Sequence, residues 1–459
     1  MRVAVLDLGK SNAKVALVDT ADAVELEVLA MPTPVRAAPL YPQPDVEALW
    51  TFFLDGLATL RERGPIDAIG VTTHGATVAL LDADGALALP VLDYEHDGPE
   101  RYAAEYDRVR PPFAATGSPR LPGGLNVGAQ LFWQERCFPE RFARVAHLLT
   151  WPQYWAYRLC GERASELTSL GCHTDLVEPA SGAPSALSRA RGWDRLIPPV
   201  RRPGERLGTV TPEVARLTGL ASDTPVHVGI HDSNASLVPH LLAGGGPRSV
   251  VSSGTWAIVM ALGGRAPALD AARDTLVNID ARGEPVPSAR FMGGREFTVA
   301  SRRGGETGDA EALDRALDRV LEKRAMLLPS VVRGSGPFPG EAAEWTVDEA
   351  ALDDAEHAIV VGHYLAMMSV TCLDLVGARG PVAVEGPFAA NRPCLAMLAA
   401  ATGRPVETGA SVTGTSVGTA MLIEAPRAPP ARVPFRLEAE RRSALARQAA
   451  LWRERADAR

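Results

Sequence analysis

The chain has 459 residues, of which 46% are hydrophobic and 22% charged, and its formal net charge at pH 7 is −8. This length predicts two or three domains, and this composition predicts globular domains with sizeable cores. The acidic balance argues against a nucleic-acid partner, because binding a phosphate backbone needs a dense basic face. The five cysteines include no CxxC pair, and the sequence has neither a signal-peptide core nor an apolar run of membrane-spanning length. We therefore expect a cytoplasmic protein with no membrane partner.

The first predicted element is a β-hairpin over residues 3–19, whose first strand ends in Asp7 and whose bend contains Gly9. A glycine without a side chain lets backbone N–H groups approach a phosphate closely. Asp7, at the strand end, is well placed to hold a magnesium ion through water. The bend offers further polar groups for phosphate binding, namely Lys10, Ser11, Asn12 and Lys14. An ordinary turn is the alternative interpretation.

Helical patterning follows over residues 45–63 and 129–160, and a strand is predicted over 66–81. His74 and Gly75 interrupt that strand, and we interpret them as candidates for the lining of a sugar pocket. A histidine satisfied within the core is the alternative.

Acidic residues supply two further candidates. Asp93 belongs to an acidic cluster whose carboxylates can hydrogen-bond the hydroxyls of a polyol, with a solvated loop as the alternative. Asp232 directly follows a strand predicted over 225–230 and precedes a helix. A carboxylate there can face a cleft and accept a proton from a substrate hydroxyl, and its alternative role is to cap the helix. His227 and His231 would not converge on a strand, so we predict no metal site there.

A second predicted hairpin covers residues 249–263 and repeats the design of the first, with Ser253, Gly254 and Thr255 at its bend. Gly254 lies about half the chain length after Gly9. Such a repeat predicts two similar domains, each with a phosphate-binding bend. Any two hairpins can look alike, and that alternative stays open.

Beyond this hairpin, helices are predicted over 309–328 and 353–379, a strand over 381–385 and a helix over 391–402. Strands that alternate with helices are typical of α/β domains. The Arg- and Glu-rich residues 431–459 predict a solvated terminal helix.

Together these segments resemble the FGGY family of carbohydrate kinases over residues 1–425. DLGKSNAKV resembles the family's first phosphate motif, with Asp7 at its magnesium-associated aspartate, and SSGTWA at 252–257 resembles its second. GIHDSNAS at 229–236 resembles the segment of the catalytic base, which falls on Asp232. The resemblance implies an α/β chain of two actin-like, ribonuclease H-like domains with an active-site cleft between them. It also implies ATP and Mg²⁺, with the sugar mainly on the N-terminal domain and the nucleotide mainly on the C-terminal one.

Within the family, His231 and the SSGTW motif look most like the rhamnulose and fuculose kinases, which act on 6-deoxy-L-ketohexoses. A pentulose or polyol kinase is the alternative, and we expect both His231 and the neighbouring base to contact the sugar. The family's adenine-side glycine triplet and the asparagine after it are represented here by Gly386 and Asn391, but the third glycine is Phe388. We predict that the Phe388 ring lies against the adenine or its ribose, with packing into the core as the alternative.

The predicted domains are residues 1–237, which bind the sugar, residues 238–430, which bind the nucleotide, and the terminal helix over 431–459. A homodimer stays open. Two other classes of protein remain as alternatives: a non-catalytic sugar or nucleotide sensor, and an actin-like ATPase of the filament type. The intact Asp232 argues against the sensor, and the candidate sugar pocket at His74 argues against the filament protein.

Overall fold

The structure, a computed structural model, describes residues 1–265, 269–301, 310–409, 414–428 and 431–459. Its β-strands are β1 (Arg2–Leu8), β2 (Asn12–Asp19), β3 (Val24–Pro32), β4 (Val35–Arg36), β5 (Gln43–Pro44), β6 (Ala68–Thr73), β7 (Val78–Leu81), β8 (Leu87–Leu89), β9 (His147–Thr150), β10 (Arg206–Thr209), β11 (Pro225–His227), β12 (Ile230–His231), β13 (Arg248–Ser253), β14 (Ala257–Leu262), β15 (Thr275–Ile279), β16 (Pro285–Phe291), β17 (Leu327–Leu328), β18 (Glu344–Trp345), β19 (Val382–Glu385), β20 (Val406–Gly409) and β21 (Arg432–Pro434). Its α-helices are α1 (Val46–Arg63), α2 (Ala103–Val109), α3 (Phe113–Thr116), α4 (Val127–Cys137), α5 (Pro139–Phe142), α6 (Trp151–Cys160), α7 (Leu167–Leu170), α8 (Ala186–Arg191), α9 (Pro212–Thr218), α10 (Asp232–Ala235), α11 (Val238–Leu242), α12 (Gly293–Ala300), α13 (Ala310–Lys323), α14 (Asp354–Leu375), α15 (Arg392–Thr402), α16 (Thr415–Ile423) and α17 (Ala439–Asp457).

The chain forms two compact units. The first consists of Met1–Gly244, Val277–Pro285 and Thr413–Pro430, and the second of Gly245–Leu276, Val286–Val412 and Ala431–Arg459. The break after Gly244 differs from the predicted boundary after residue 237. The prediction also assigned all of 238–430 to the C-terminal domain, whereas α16 packs on β1 and β6 of the first unit. Residue 430, the predicted domain end, and residue 309, the predicted start of a helix, lie outside the described residues.

In the first unit, the main sheet has the order β10-β11-β6-β1-β2-β3, and β12 also pairs with β6. β1 runs antiparallel to β2 and parallel to β6, and it is buried on both faces. Ala4 and Leu6 pack with Phe53 of α1, whereas Val3 and Val5 pack with α16. Because alternate side chains of a strand point to opposite faces, a strand covered on both sides needs apolar residues throughout.

In the second unit, the main sheet has the order β15-β16-β14-β13-β19-β20-β21. β13 runs antiparallel to β14 and parallel to β19, which is in turn parallel to β20. The first unit has the same arrangement, because β1 lies between antiparallel β2 and parallel β6, and β6 is parallel to β11. The predicted repeat of two similar domains is therefore confirmed.

Helix α14 forms the centre of the second unit. It begins with a capping box: Asp353 Oδ1 accepts from Glu356 N at 2.9 Å, and Glu356 Oε2 accepts from Asp353 N at 3.1 Å. The helix is long and apolar enough to span a membrane by composition, but 78% of its most apolar window is buried. That burial is what the core helix of a globular unit shows.

The predicted helix over 129–160 is wrong in its middle. The structure ends α4 at Cys137, two residues before Pro139, and β9 (His147–Thr150) then pairs with β7. A residue that precedes proline is pushed out of the helical region, which explains the interruption at Phe138.

The terminal segment is not solvated as predicted. Helix α17 buries Leu445, Ala449 and Trp452, which are spaced to share one helix face, in the core of the second unit. The Trp452 indole N–H also donates to the Leu327 carbonyl at 2.8 Å. The many charged residues of this segment therefore lie on the outer faces of the helix, and its apolar residues face the core.

Candidate active site

Three parallel strands of the first unit end beside one another. β6 pairs in parallel with both β1 and β12. Gly9 directly follows β1, His74 directly follows β6, and Asp232 directly follows β12. Ligands of α/β sheets bind at the carboxyl ends of strands, so the topology brings these predicted residues to one edge.

Asp232 keeps one carboxylate oxygen open. Its Oδ1 accepts from the Ser233 backbone N at 2.5 Å and from the Ser233 hydroxyl at 3.3 Å, and lies 3.2 Å from His231 Nε2. Its Oδ2 accepts no hydrogen bond within the described part of the chain, and 27% of the side chain is exposed. The N-cap of α10 is His231, not Asp232, so the helix-cap alternative is wrong.

His231 orients that carboxylate. The ring is 5% exposed, and its Nδ1 lies 3.1 Å from the Asn234 amide nitrogen, which donates to it. Burial lowers the pKa of His231 to about 4, so the ring is neutral near pH 7. Because Nδ1 accepts from Asn234, the proton of the neutral ring is on Nε2, which lies 3.2 Å from Asp232 Oδ1. A Cβ added to Gly75 would lie 3.0 Å from Nε2, and Cys172 Sγ lies 3.7 Å from it. His231 is thus enclosed, and its contact with the sugar stays a prediction.

The electrostatics around Asp232 suit a proton acceptor. Burial raises the pKa of Asp232 to about 6, the negative charge of Asp7 adds to the rise, and His74 opposes it. Burial also lowers the pKa of His74. At neutral pH the Asp232 carboxylate is therefore mostly ionised and able to take a proton.

Asp7 is anchored to the start of α16. It is 5% exposed, and its Oδ2 accepts hydrogen bonds from the hydroxyls of Thr415 and Ser416, the latter at 3.0 Å. Lys14 is its cross-strand partner on β2. No group of three His, Cys, Asp or Glu side chains forms a metal cage in the ranges that the structure describes. A buried carboxylate among hydroxyl oxygens nevertheless fits magnesium held through water.

The first glycine bend is closed by its own backbone. Gly9 N donates to the Asn12 carbonyl at 2.9 Å, and the Ser11 carbonyl accepts from Thr33 N at 2.9 Å. The side chains of Ser11 and Asn12 are exposed. The bend therefore presents polar groups to solvent, as a phosphate-binding turn would, and its phosphate role stays a prediction.

Lys10 and Asp93 contact each other, although we predicted that one binds phosphate and the other sugar. The Lys10 ammonium pairs with the Asp93 carboxylate, lies 3.4 Å from Glu95 Oε2, and sits 4.8 Å from the centre of the Tyr94 ring. The Tyr94 ring meets the His74 ring edge-on, with 5.4 Å between their centres. Two carboxylates neutralise the lysine, which argues against the predicted phosphate contact and for a role in fixing this loop.

The second unit contains its own cavity, of about 710 Å³. Four predicted nucleotide residues line it: Gly254 and Thr255 from the second bend, Phe388, and Asn391. Arg295 of α12 also lines it. Its volume lies within the range of small-molecule sites.

The other two predicted residues lie behind this cavity. Ser253 Oγ donates to the carbonyl before Gly386 and accepts from Phe388 N at 2.9 Å. Gly386 has a φ of +72°, and an added Cβ would lie 1.9 Å from the Ser253 carbonyl oxygen. Asn391 has a structural role as well, since its Oδ1 accepts from Cys394 N at 3.0 Å and caps α15.

The Phe388 ring belongs to the core. The residue is 3% exposed, and its ring centre lies 6.4 Å from that of Phe291. A Cβ added to Gly293 would lie 2.9 Å from its Cζ. The burial contradicts the prediction of a ring face open to adenine and favours the core alternative, although the residue borders the cavity.

Several residues of these sites are not among those predicted from the sequence. Arg295 follows a glycine pair at the start of α12, where Gly294 approaches so closely that an added Cβ would lie 2.1 Å from the Gly254 carbonyl oxygen. A glycine pair after a strand was a usable signal. Thr415 and Ser416 open an apolar helix, the position at which hydroxyl residues are favoured, but nothing local in the sequence links them to Asp7.

The two units repeat one order of strands, and each has a glycine bend closed by a backbone hydrogen bond, so the chain has a two-domain α/β fold. The family model "FGGY family of carbohydrate kinases, N-terminal domain" matches residues 2–239, and "Carbohydrate kinase FGGY, C-terminal domain" matches residues 245–431. The crystal structure of a carbohydrate kinase from Novosphingobium aromaticivorans is 36% identical, covers 99% of this chain and 98% of that one, and superposes with a TM-score of 0.92. The chain belongs to the FGGY family of carbohydrate kinases, and the predicted family and two-domain α/β fold are confirmed.

Curated relatives include an L-fuculokinase and a rhamnulokinase. An L-fuculokinase from Salmonella typhi is 26% identical over 277 residues, which are 57% of each chain. A rhamnulokinase from Bacteroides thetaiotaomicron is 28% identical over 228 residues, 47% of this chain and 45% of that one. The matches thus span about half the length of these relatives, and they agree with the group that the motifs resemble.

Proposed function

We propose that this protein transfers the γ-phosphoryl group of ATP to a hydroxyl of a small sugar. The observation that carries the proposal is the open Oδ2 of Asp232, an ionised carboxylate oxygen at the carboxyl edge of the sheet. The sugar hydroxyl oxygen attacks the γ-phosphorus, its proton passes to Asp232 Oδ2, and ADP leaves with the electrons of the broken P–O bond. The other oxygen, Oδ1, lies 3.2 Å from His231 Nε2 and accepts from Ser233 during this step.

Asp7 would hold the magnesium ion that accompanies ATP, through water, because its donor set is all oxygen. When bound, that ion neutralises charge on the β- and γ-phosphates. Gly254 and Thr255 would contact the nucleotide phosphates through the exposed backbone of the second bend, beside Arg295. The cavity of the second unit would then take the adenosine.

For the acceptor, we propose a 6-deoxy-L-ketohexose. The support is the motif likeness together with the L-fuculokinase and rhamnulokinase relatives. A xylulose kinase from Escherichia coli is 28% identical over 243 residues, which keeps a pentulose as the second candidate. An ADP-release screen with L-fuculose and L-rhamnulose, D- and L-xylulose, aldoses and glycerol tests this. Faster turnover of a pentulose or polyol than of both deoxysugars would overturn the choice of substrate.

The ADP-release screen, together with calorimetric binding of sugar and ATP, separates the enzyme from the sensor and filament alternatives. A sensor would bind sugar or ATP in calorimetry without releasing ADP, and a filament ATPase would release ADP without any sugar. An enzyme should release ADP only when ATP and the sugar are both present. A cytoplasmic location and a homodimer stay predictions.

The rate should depend on pH through Asp232. We expect kcat/KM for the sugar to fall as pH drops below about 6, because Asp232 must be ionised to accept the proton and its pKa is raised to about 6. Asp7→Asn should move this acidic limb to lower pH, because the negative charge of Asp7 raises that pKa. His74→Gln should move it to higher pH, because His74 lowers the pKa. Limbs that stay in place in both variants would show that Asp232 does not control the profile.

Phe388→Leu should lower stability but leave ATP affinity nearly unchanged. The ring is buried beside Phe291, so its partial replacement should cost about 1 kcal/mol and lower the melting temperature. Phe297→Leu is the matched control, since this half-buried ring lines the same cavity and should affect ATP affinity more than stability. Thermal unfolding and ATP and GTP titrations of both variants would check this. Weaker ATP binding with an unchanged melting temperature in Phe388→Leu would restore the stacking role.

A further inference from the structure

A second cavity of the second unit, of about 460 Å³, shares no lining residue with the one beside Gly254. Helices α13, α14 and α15 and the segment that leads into α17 form its walls. The wall is mostly apolar, with Leu317, Ile359, Ala396 and Phe435 among its residues. We call it the α13–α15 cavity. Its volume lies within the range of sites that enclose a small ligand.

This cavity also contains polar groups that the protein leaves unused. His363 of α14 lines it and is 5% exposed, yet its Nδ1 has no hydrogen-bond partner among the described residues. Buried polar atoms are normally paired, so such an atom indicates a missing partner. Two exposed arginines, Arg392 and Arg436, stand at the rim, and neither forms an ion pair within the described part of the chain.

The charges at the rim are mixed but favour an anion. Arg441 is a third basic residue there, although it pairs with Asp318. Asp314 and Glu438 line the rim as well. The lining thus holds three arginines against two carboxylates, and Arg392 and Arg436 are the two arginines that remain available to a ligand.

We propose that the α13–α15 cavity is a binding site for a small organic anion with an apolar body, a carboxylate or a phosphate ester. Arg392 and Arg436 receive the anionic head, since a guanidinium forms paired hydrogen bonds with carboxylate and phosphate oxygens. Leu317 and Phe435 cover the apolar body, and His363 hydrogen-bonds a polar atom of the ligand at the wall.

The site is placed to influence the nucleotide cavity, a consequence that rests on the proposed function. Tyr364, the residue after His363, donates to Glu296 Oε2 of α12 at 2.8 Å, and the neighbours of Glu296 on that helix line the nucleotide cavity. Arg392 directly follows Asn391, which lines that cavity as well. An occupant of the α13–α15 cavity should therefore change KM for ATP more than kcat.

The probe that tests binding is 8-anilinonaphthalene-1-sulfonate, which has an anionic head and an apolar body and fluoresces when enclosed. We expect one probe molecule per chain, retained when ADP is saturating, because the two cavities are separate. Ala396→Trp should fill the site and abolish that signal, whereas Ala450→Trp, an exposed position of α17 outside the cavity, should retain it. Arg392→Gln should weaken the probe about tenfold, the usual worth of a hydrogen bond to a charged group.

Competition with unlabelled anions identifies the head group. If benzoate displaces the probe, the ligand is a carboxylate, and if glucose 1-phosphate displaces it, the ligand is a phosphate ester. If neither displaces the probe, the anion proposal is overturned. Complete loss of the probe with ADP would also overturn it, as would native binding by a folded Ala396→Trp protein. If that variant does not fold, unchanged affinity in Arg392→Gln decides against the proposal. Probe binding does not depend on phosphoryl transfer, so failure here and failure of the proposed kinase activity are distinguishable.

Discussion

Asp232→Asn is expected to lower kcat for sugar phosphorylation by about 10²–10⁴-fold and to leave sugar affinity nearly unchanged. Asparagine keeps the size of the side chain and an oxygen that can accept from His231 Nε2, now 3.2 Å from Asp232 Oδ1. It cannot take a proton from the attacking hydroxyl. The loss should therefore fall on the chemical step, measured as single-turnover ADP release, while calorimetry reports sugar binding separately.

Asp93→Asn is the matched control for this variant. Asp93 is also acidic and buried, but Lys10 pairs with its carboxylate, so it should act on binding rather than on proton transfer. We expect Asp93→Asn to raise KM for the sugar with a smaller change in kcat. If Asp232→Asn turned over at nearly the native rate, the role of the carboxylate would be limited to its local hydrogen bonds with Ser233.

The hairpins were predictable because their information is local. An apolar strand, an acid or serine pair, a glycine and a second apolar strand determine each bend, and Gly9 and Gly254 both close it with a backbone hydrogen bond. The order of the strands around β1 and β13 then follows from a central strand that is apolar on both faces. Fold class and the position of Asp232 could therefore be predicted from short segments.

The partners of the predicted residues could not be found in that way. Thr415 and Ser416 reach Asp7 from the far end of the sequence, because α16 returns to the first unit. The pairing of Lys10 with Asp93 joins two segments that the motifs treat as separate. A spacing pattern reports neighbours along the chain, and these contacts depend on how distant elements pack.

Burial was misjudged where composition outweighed spacing. Residues 431–459 are rich in charge, but the apolar residues of α17 recur on one face and bury Trp452. The place of Phe388 in a nucleotide motif predicts contact with adenine, whereas its ring packs in the core that contains Phe291. In both cases the burial of an aromatic ring contributes a large favourable free energy, even though the residues around it in the sequence suggest an exposed position.

Gly386→Ala should destabilise the second unit by about 2–6 kcal/mol, the sum of a strained backbone and a steric overlap, and should weaken ATP binding. Gly386 has a φ of +72°, a conformation that costs a residue with a side chain about 1–3 kcal/mol. An added Cβ would also lie 1.9 Å from the Ser253 carbonyl oxygen, and backbone on both sides cannot yield cheaply. To relieve that overlap, β13 and the turn that contains Phe388 must move apart. This turn borders the nucleotide cavity, so ATP binding should weaken as well. Urea unfolding followed by circular dichroism and ATP titration measure the two effects.

Gly403→Ala separates the two causes. Gly403 ends α15 with a φ of +64°, close to that of Gly386, but nothing lies within 4 Å of an added Cβ. It should therefore lose only the conformational contribution, about 1–3 kcal/mol, with ATP affinity unchanged. Equal losses in the two variants would mean that the close approach to Ser253 contributes nothing. A Gly386→Ala protein of reduced stability but native ATP affinity would instead mean that the turn acts on folding alone, and that Gly386 does not support the nucleotide cavity.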